Sequence, residues 1–183
     1  MKYLKIIIPI SILSLIFFID YYNKYYKPNT SFEAESIFLY VMKDDSIAFR
    51  DSISKYIKSE KTFYKVAEKL KYLENKKTGR FKIKRGIGNN DIVNSLKFNN
   101  TPVNVTFNNQ ERVEDLAGRL SNQIYEDSIS LLSAFTDQDF LEKNNLNEKN
   151  VLSIFIPNSY NIYWNTTSEN FRDRMLIEYN KFW

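Results

Sequence analysis

The 183-residue chain contains no cysteine and no histidine. Without a thiol or an imidazole, no Cys–His or Ser–His–Asp nucleophile system can be assembled from these residues. The common zinc ligand sets are excluded on the same ground. No disulfide is available, so stability must come from packing. Acid–base chemistry would fall to Asp, Glu, Tyr or Lys, and neither a cofactor nor a metal is expected. Glycine and proline number only four each, so each one marks a particular turn or break. Aromatic residues are plentiful, with 13 Tyr, 14 Phe and 2 Trp.

Charge is mildly positive, at +4. The densest basic run is Lys76, Lys77, Arg80, Lys82, Lys84 and Arg85. It follows no nucleic-acid motif and reads as a strand edge kept soluble by lysine, so nucleic acid is not an expected partner.

The longest apolar run lies at the front, in "MKYLKIIIPISILSLIFFIDYYNKYYK". Residues 6–19 carry no charge; Lys2 and Lys5 precede them and Asp20 follows. From Tyr3 to Tyr22 the run is about 30 Å long as a helix, enough to cross a hydrocarbon core. Tyr21, Tyr22, Tyr25 and Tyr26 would form an aromatic belt at one interface. A cleaved signal peptide is the rival reading, but a small-residue cleavage site is missing around Ile19-Asp20-Tyr21-Tyr22. The leading lysines place the amino terminus in the cytoplasm and the rest of the chain outside.

Beyond a polar linker at residues 27–36, one pattern recurs three times: a short strand, a turn, then an amphipathic helix. The strands are Ile37–Met42, "RFKIKR" and "VNVTF". The turn Lys43–Ser46 precedes a helix with Phe49, Ile53 and Ile57 inward. "GIGNN" precedes a helix carrying Ile92, Val93 and Leu96, with Asn89 or Asn90 as its cap. "NNQ" caps a helix carrying Val113, Leu116, Ala117, Leu120 and Ile124. A further helix, 62–73, has the stripe Phe63, Val66, Ala67 and Leu70. The expected class is α+β with small layers, because strands are few and short.

Three stretches invite chemistry. "RGIGNNDI" lacks both the third glycine of a dinucleotide fingerprint and the Gly-Lys-Ser/Thr of a phosphate loop, and reads as turn chemistry. The late carboxylates Asp139, Glu142, Glu148, Glu169, Asp173 and Glu178 lie in no apolar run that would raise a pKa for acid catalysis. "FIPNSYNIYWN" gathers amides and aromatics after Pro157, in a segment expected to be a strand breaking into a loop; such a mixture suits sugar rings. The last segment opens with Thr166 and Glu169 at capping-box spacing. It then repeats Phe171, Met175, Tyr179 and Phe182 along one helical face up to Trp183, an apolar face that needs a partner.

Together these residues resemble the MltG/YceG-like endolytic murein transglycosylase family in its Bacteroidetes-type form. The front anchor fits. "GRFKIKRGIGNNDIVNSLKFNNTPVNVTFNNQERVEDLAGRL" resembles a LysM-like segment and its continuation. "FIPNSYNIYWNTTSENFRDRM" resembles the opening of the catalytic domain. The resemblance implies four parts: 1–26 a transmembrane anchor, 27–78 a membrane-proximal α+β unit, 79–100 the LysM-like segment, and 101–183 an incomplete start of the catalytic domain. It implies a single-pass inner-membrane protein, periplasmic after the anchor, that processes peptidoglycan glycan strands. In the family one Glu protonates the glycosidic oxygen and the muramic 6-hydroxyl attacks, leaving a 1,6-anhydro end. That Glu lies in a motif like "ASIVEKE", which these residues lack, so no catalytic residue is assigned and the chain is expected to be a fragment. Asn158, Ser159 and Tyr160 fall where the family's cleft-lining motif lies and are the expected substrate contacts. The alternative is a non-catalytic peptidoglycan-binding or scaffold protein that tethers cell-wall synthases.

Overall fold

The structure, a computed structural model, describes residues 4–42 and 46–183. Lys2 and Tyr3 of the expected anchor, and Lys43 to Asp45 of the expected first turn, lie outside the described residues. The chain divides into two units, 1–100 and 101–183.

The first unit begins with helix α1, Leu4–Tyr25, 22 residues that include Pro9. The segment Ile7–Tyr25 is long and apolar enough to cross a membrane, with a mean hydropathy of 1.3. Its apolar side chains from Ile7 to Ile19 are exposed, with no cover from the described residues. Strand β1, Ser36–Val41, pairs antiparallel with β2, Gly79–Lys84. Helices α2, Ser46–Ser54, α3, Glu60–Lys69, and α4, Asn89–Phe98, cover one face of this ribbon.

Alternation along the strands decides which side chains are covered. Leu39, Val41, Phe81 and Ile83 point inward and meet Phe49, Ile53, Phe63, Val66, Ala67, Ile92, Val93 and Leu96. The outer face carries Phe38, Tyr40, Lys82 and Lys84. Arg80 lies over the Phe38 ring at 3.5 Å, Lys76 over Phe49 at 5.5 Å and Lys77 over Phe98 at 5.8 Å. Three residues of the basic run are therefore engaged with neighbouring aromatic faces.

A buried amide pair ties α1 to this body. Asn29 donates from Nδ2 to Asn89 Oδ1 at 2.6 Å and to the Ser59 carbonyl at 3.0 Å, and its Oδ1 accepts from the Ser59 N–H at 2.8 Å. Asn89 in turn donates to the Lys24 carbonyl in the last turn of α1 at 2.8 Å. Asn89 is thus not the cap of α4 that its position suggests. Gly88 holds the cap position, and Asn89 faces inward as the first helical residue. The two glycines of the turn serve different ends. Gly86 adopts a left-handed φ of 77°, whereas a Cβ on Gly88 would stand 2.6 Å from the Tyr26 backbone.

The second unit pairs β3, Pro102–Phe107, antiparallel with β4, Asn158–Tyr163. Its helices are α5, Val113–Ser121, α6, Ser128–Phe135, α7, Gln138–Lys143, and α8, Ser168–Phe182. Two expectations are corrected here. The apolar stretch before Pro157 is a 3-10 turn, Val151–Ile154, and the strand follows the proline. Pro157 therefore precedes the ladder and costs it no hydrogen bond. In the last helix the cap is Thr167, whose side chain accepts from the Asn170 N–H, not Thr166. A third, smaller difference concerns α5: its cap is Arg112, while the Gln110 amide folds back on Asn108.

The core of this unit joins Val105, Phe107, Leu116, Leu120, Phe135, Phe155, Phe171 and Met175. Arg172 locks α8 in place. It donates to the Ala134 carbonyl at 2.9 Å, meets Asp173 at 2.8 Å and lies over the Phe140 ring at 3.9 Å. Along α8, Phe171 and Met175 are buried, Tyr179 is half-buried, and Phe182 and Trp183 are exposed.

Three substitutions test this packing. The Tyr72 side chain is fully buried, its hydroxyl lacks a hydrogen-bond partner among the described residues, and burial raises its pKa above the ordinary 10.0. A raised folded pKa means that the folded state keeps the proton while the unfolded chain loses it, so stability falls as pH rises beyond 10.0. Tyr72→Phe should stabilise the first unit by about 1 to 2 kcal/mol at neutral pH and reduce its alkaline loss, as read by denaturant titration at two pH values. Gly88→Ala should destabilise the same unit by roughly 1 to 3 kcal/mol through overpacking. Gly118→Ala, in α5 with open space around the new Cβ, should stabilise its helix by about 0.5 to 1 kcal/mol. Hydrogen exchange on the full chain reads both glycine sites separately.

Candidate functional site

Asn158, Ser159 and Tyr160 open β4, and the period of two separates them. Ser159 pairs with Thr106 across the ladder, Tyr160 with Val105, and Asn161 with Asn104. Asn158 and Ser159 are exposed; Tyr160 is 9% exposed and faces the core. Its ring stacks on Phe107 at 5.6 Å, and its hydroxyl donates to the Ile156 carbonyl at 2.6 Å. Burial, with Glu178 adding to it, pushes the hydroxyl pKa upward. The side chain of Tyr160 thus fixes where β4 begins, beside the two residues that reach solvent.

The solvent face of the ribbon consists of Asn104, Thr106, Ser159, Asn161 and Tyr163. Thr106 and Ser159 hydroxyls share a 2.7 Å hydrogen bond. Asn158 accepts from the Ser159 N–H at 2.8 Å, which orients its amide at the ribbon's end. At the other end Tyr163 is half-exposed, and beyond it Tyr125 and Trp164 meet with ring centroids 5.1 Å apart. A shallow recess of about 100 Å³ adjoins Phe107 and is lined by Asn108, Gln110, Leu152 and Phe155. It has room for a substituent rather than a sugar ring. The face offers hydroxyl and amide donors and acceptors in a row, with aromatic rings at one end. That is the chemistry a chain of hydroxyl-rich rings requires.

Gln123 completes the edge of β3. Its Oε1 accepts from the Thr106 N–H at 2.9 Å and its Nε2 donates to the Thr106 carbonyl at 3.0 Å. One side-chain amide thereby takes the place of a neighbouring strand and leaves the outer face open. The alternation in "VNVTF" could have located Asn104 and Thr106 on that face. Gln123 gives no such signal, because its role depends on a backbone 17 residues away.

No carboxylate is buried among the described residues. Glu178 is held by Arg174 at 2.7 Å and Lys181 at 3.5 Å. Glu169 lies exposed in the first turn of α8. No group of three acidic side chains converges as a metal site among the described residues.

With this geometry in view, comparison with known proteins is informative. The family model of the YceG-like family matches residues 45–183. The chain belongs to the YceG-like family. The match includes both β3 and β4, so the candidate face lies within the part of the chain that the YceG-like family shares. A crystal structure of a YceG-like protein from Listeria monocytogenes is similar over 81% of this chain and 55% of that one, at 16% identity and a TM-score of 0.42. The chain thus spans about half the length of that protein. No curated protein matches.

The role of Gln123 is open to test. Gln123→Ala should speed exchange of the Thr106 amide by about fivefold to tenfold, the loss of one net hydrogen bond. Gln123→Glu keeps an acceptor for that amide and should leave it protected. Amide exchange of the full chain distinguishes the two.

Proposed function

We propose that the chain is a membrane-anchored peptidoglycan-processing protein whose second unit holds glycan strands for lytic transglycosylase chemistry. The observation that carries this reading is the polar row Asn104, Thr106, Ser159 and Asn161, open to solvent in the unit that the family match covers. Asn158, Ser159 and Asn161 are the proposed contacts on β4, and Tyr160 positions them. Helix α1 is long and apolar enough to serve as the anchor; the lysines at its front favour an amino terminus in the cytoplasm, with the chain beyond α1 outside the inner membrane.

A lytic transglycosylase needs a carboxylic acid to protonate the leaving oxygen, with its pKa raised by burial. No buried carboxylate stands among the described residues, and the "ASIVEKE"-like motif expected from the resemblance is not among these residues. The chain accordingly supplies placement of the glycan, and the proton comes from elsewhere. The same lack of a buried acid favours a second reading, a non-catalytic scaffold that tethers cell-wall synthases. The two differ in cells: loss of a processing protein lengthens glycan strands, whereas loss of a scaffold leaves strand length unchanged and disperses its partners.

The full chain in detergent should sediment with purified sacculi and release no anhydro-muropeptides. Replacing Asn104 and Asn161 together by Ala should weaken binding to sacculi by about 25-fold to 100-fold, since each removes one hydrogen bond to the ligand. Release of anhydro ends by the full chain would overturn the claim that the proton comes from elsewhere, and binding indifferent to the double substitution would overturn the assignment of this face.

A further inference from the structure

A cleft at the end of α1 takes no part in the functions considered so far. Its volume is about 510 Å³. Asn23 and Lys27 line it from the end of α1 and the exit beyond, and Lys58, Ser59 and Thr62 line it from the approach to α3 and its first turn. No acidic side chain is among the described residues that line it. Both lysines are exposed, and neither is ion-paired among the described residues. The walls are largely apolar, with lysine stems and Pro28 leading to charged heads.

The position of this cleft relative to α1 is fixed. The Lys58 N–H donates to the Asn29 carbonyl at 2.7 Å, and Ser59 is bonded to the Asn29 amide. The backbone carrying Lys58 is therefore pinned next to the backbone carrying Lys27. Asn23 lies within the apolar span Ile7–Tyr25 and Lys27 just beyond it. Helix α1 ends at Tyr25, so Asn23 in its last turn and Lys27 just past it flank the end of the apolar span, a depth that coincides with lipid headgroups when that span fills the hydrocarbon layer.

We propose that this cleft binds the phosphate of an anionic phospholipid headgroup. The proposal rests on α1 spanning a bilayer. The two ammonium groups face the phosphate, the Asn23 amide supplies a neutral donor, and the apolar walls take the glycerol and the first acyl carbons. Lys24, next in sequence to Asn23, is directed elsewhere: it pairs with Asp20 at 3.3 Å.

Native mass spectrometry tests this with the full chain recovered from vesicles of equal phosphatidylglycerol and phosphatidylcholine. The expected result is preferential retention of one phosphatidylglycerol by about fivefold or more, in line with the attraction of basic groups near anionic lipid. Lys27→Gln with Lys58→Gln should abolish the preference, while Lys65→Gln should keep it. Equal retention of the two lipids, or a preference that survives the double substitution, overturns the site. A second arm adds inorganic phosphate to chain in phosphatidylcholine alone. An adduct that depends on Lys27 and Lys58, without lipid preference, assigns the cleft to free phosphate and overturns the lipid proposal. Flotation separates this from the anchoring reading: chain that does not float with vesicles refutes the anchor, whereas chain that floats but shows no lipid preference refutes only the cleft.

Discussion

Each unit of this protein is organised by the burial of one face of a two-stranded ribbon. A ribbon of two strands is at best marginal in water on its own, because half of its side chains and both of its edges face solvent. Here β1–β2 and β3–β4 are each covered on one side by helices, and the inward residues of each strand join an aromatic-rich core. With no disulfide and no metal ligand of the thiol or imidazole type, this burial is what remains to hold the fold. The covered face determines the open one: once Val105, Phe107, Tyr160 and Ile162 turn inward, Asn104, Thr106, Ser159 and Asn161 must turn out. The proposed glycan surface is thus a by-product of the same alternation that builds the core.

Edges are handled differently from faces. The outer edge of β3 is closed by a glutamine side chain, which satisfies the backbone without adding a layer. In the first unit, Arg85 closes part of the ribbon's margin through its backbone bond to Glu35 and its side-chain bond to the Glu33 carbonyl. Arg172, in the second unit, does inside a core what capping groups do at a surface: it satisfies a helix-terminal carbonyl while its guanidinium plane stacks on a ring. Single polar side chains therefore complete structures whose bulk is apolar, and Arg172, the buried one of the three, is bonded on several sides, as a buried polar group must be.

Much of this was legible in the sequence, and the parts that were not share one cause. Strand alternation in "RFKIKR" and "VNVTF", and helical spacing from Phe63 to Leu70 and from Val113 to Leu120, report local periodicity, so the elements and the α+β class follow from them. The Asn29–Asn89 pair was not visible, because it joins residues 60 apart and Asn89 stands where a cap would also stand. The motif resemblance groups Tyr160 with Asn158 and Ser159, but in a strand adjacent residues point to opposite faces, and the Tyr160 side chain turns to the core. Pro157 misled in the same way: read as a break within a strand, it lies just ahead of one. Periodicity detects faces, whereas long-range hydrogen bonds and the exact onset of a strand depend on the assembled backbone.

The amide knot between Asn29, Ser59 and Asn89 has a mechanical consequence. A helix that leaves a bilayer through a loose tether lets its cargo roam a hemisphere, but here the exit is clamped within four residues of the end of α1. With α1 in a membrane, the first unit would ride at constant height and tilt, like a wheel hub on its axle. Its search for targets would then be a planar one, set by lateral diffusion and rotation about a single axis.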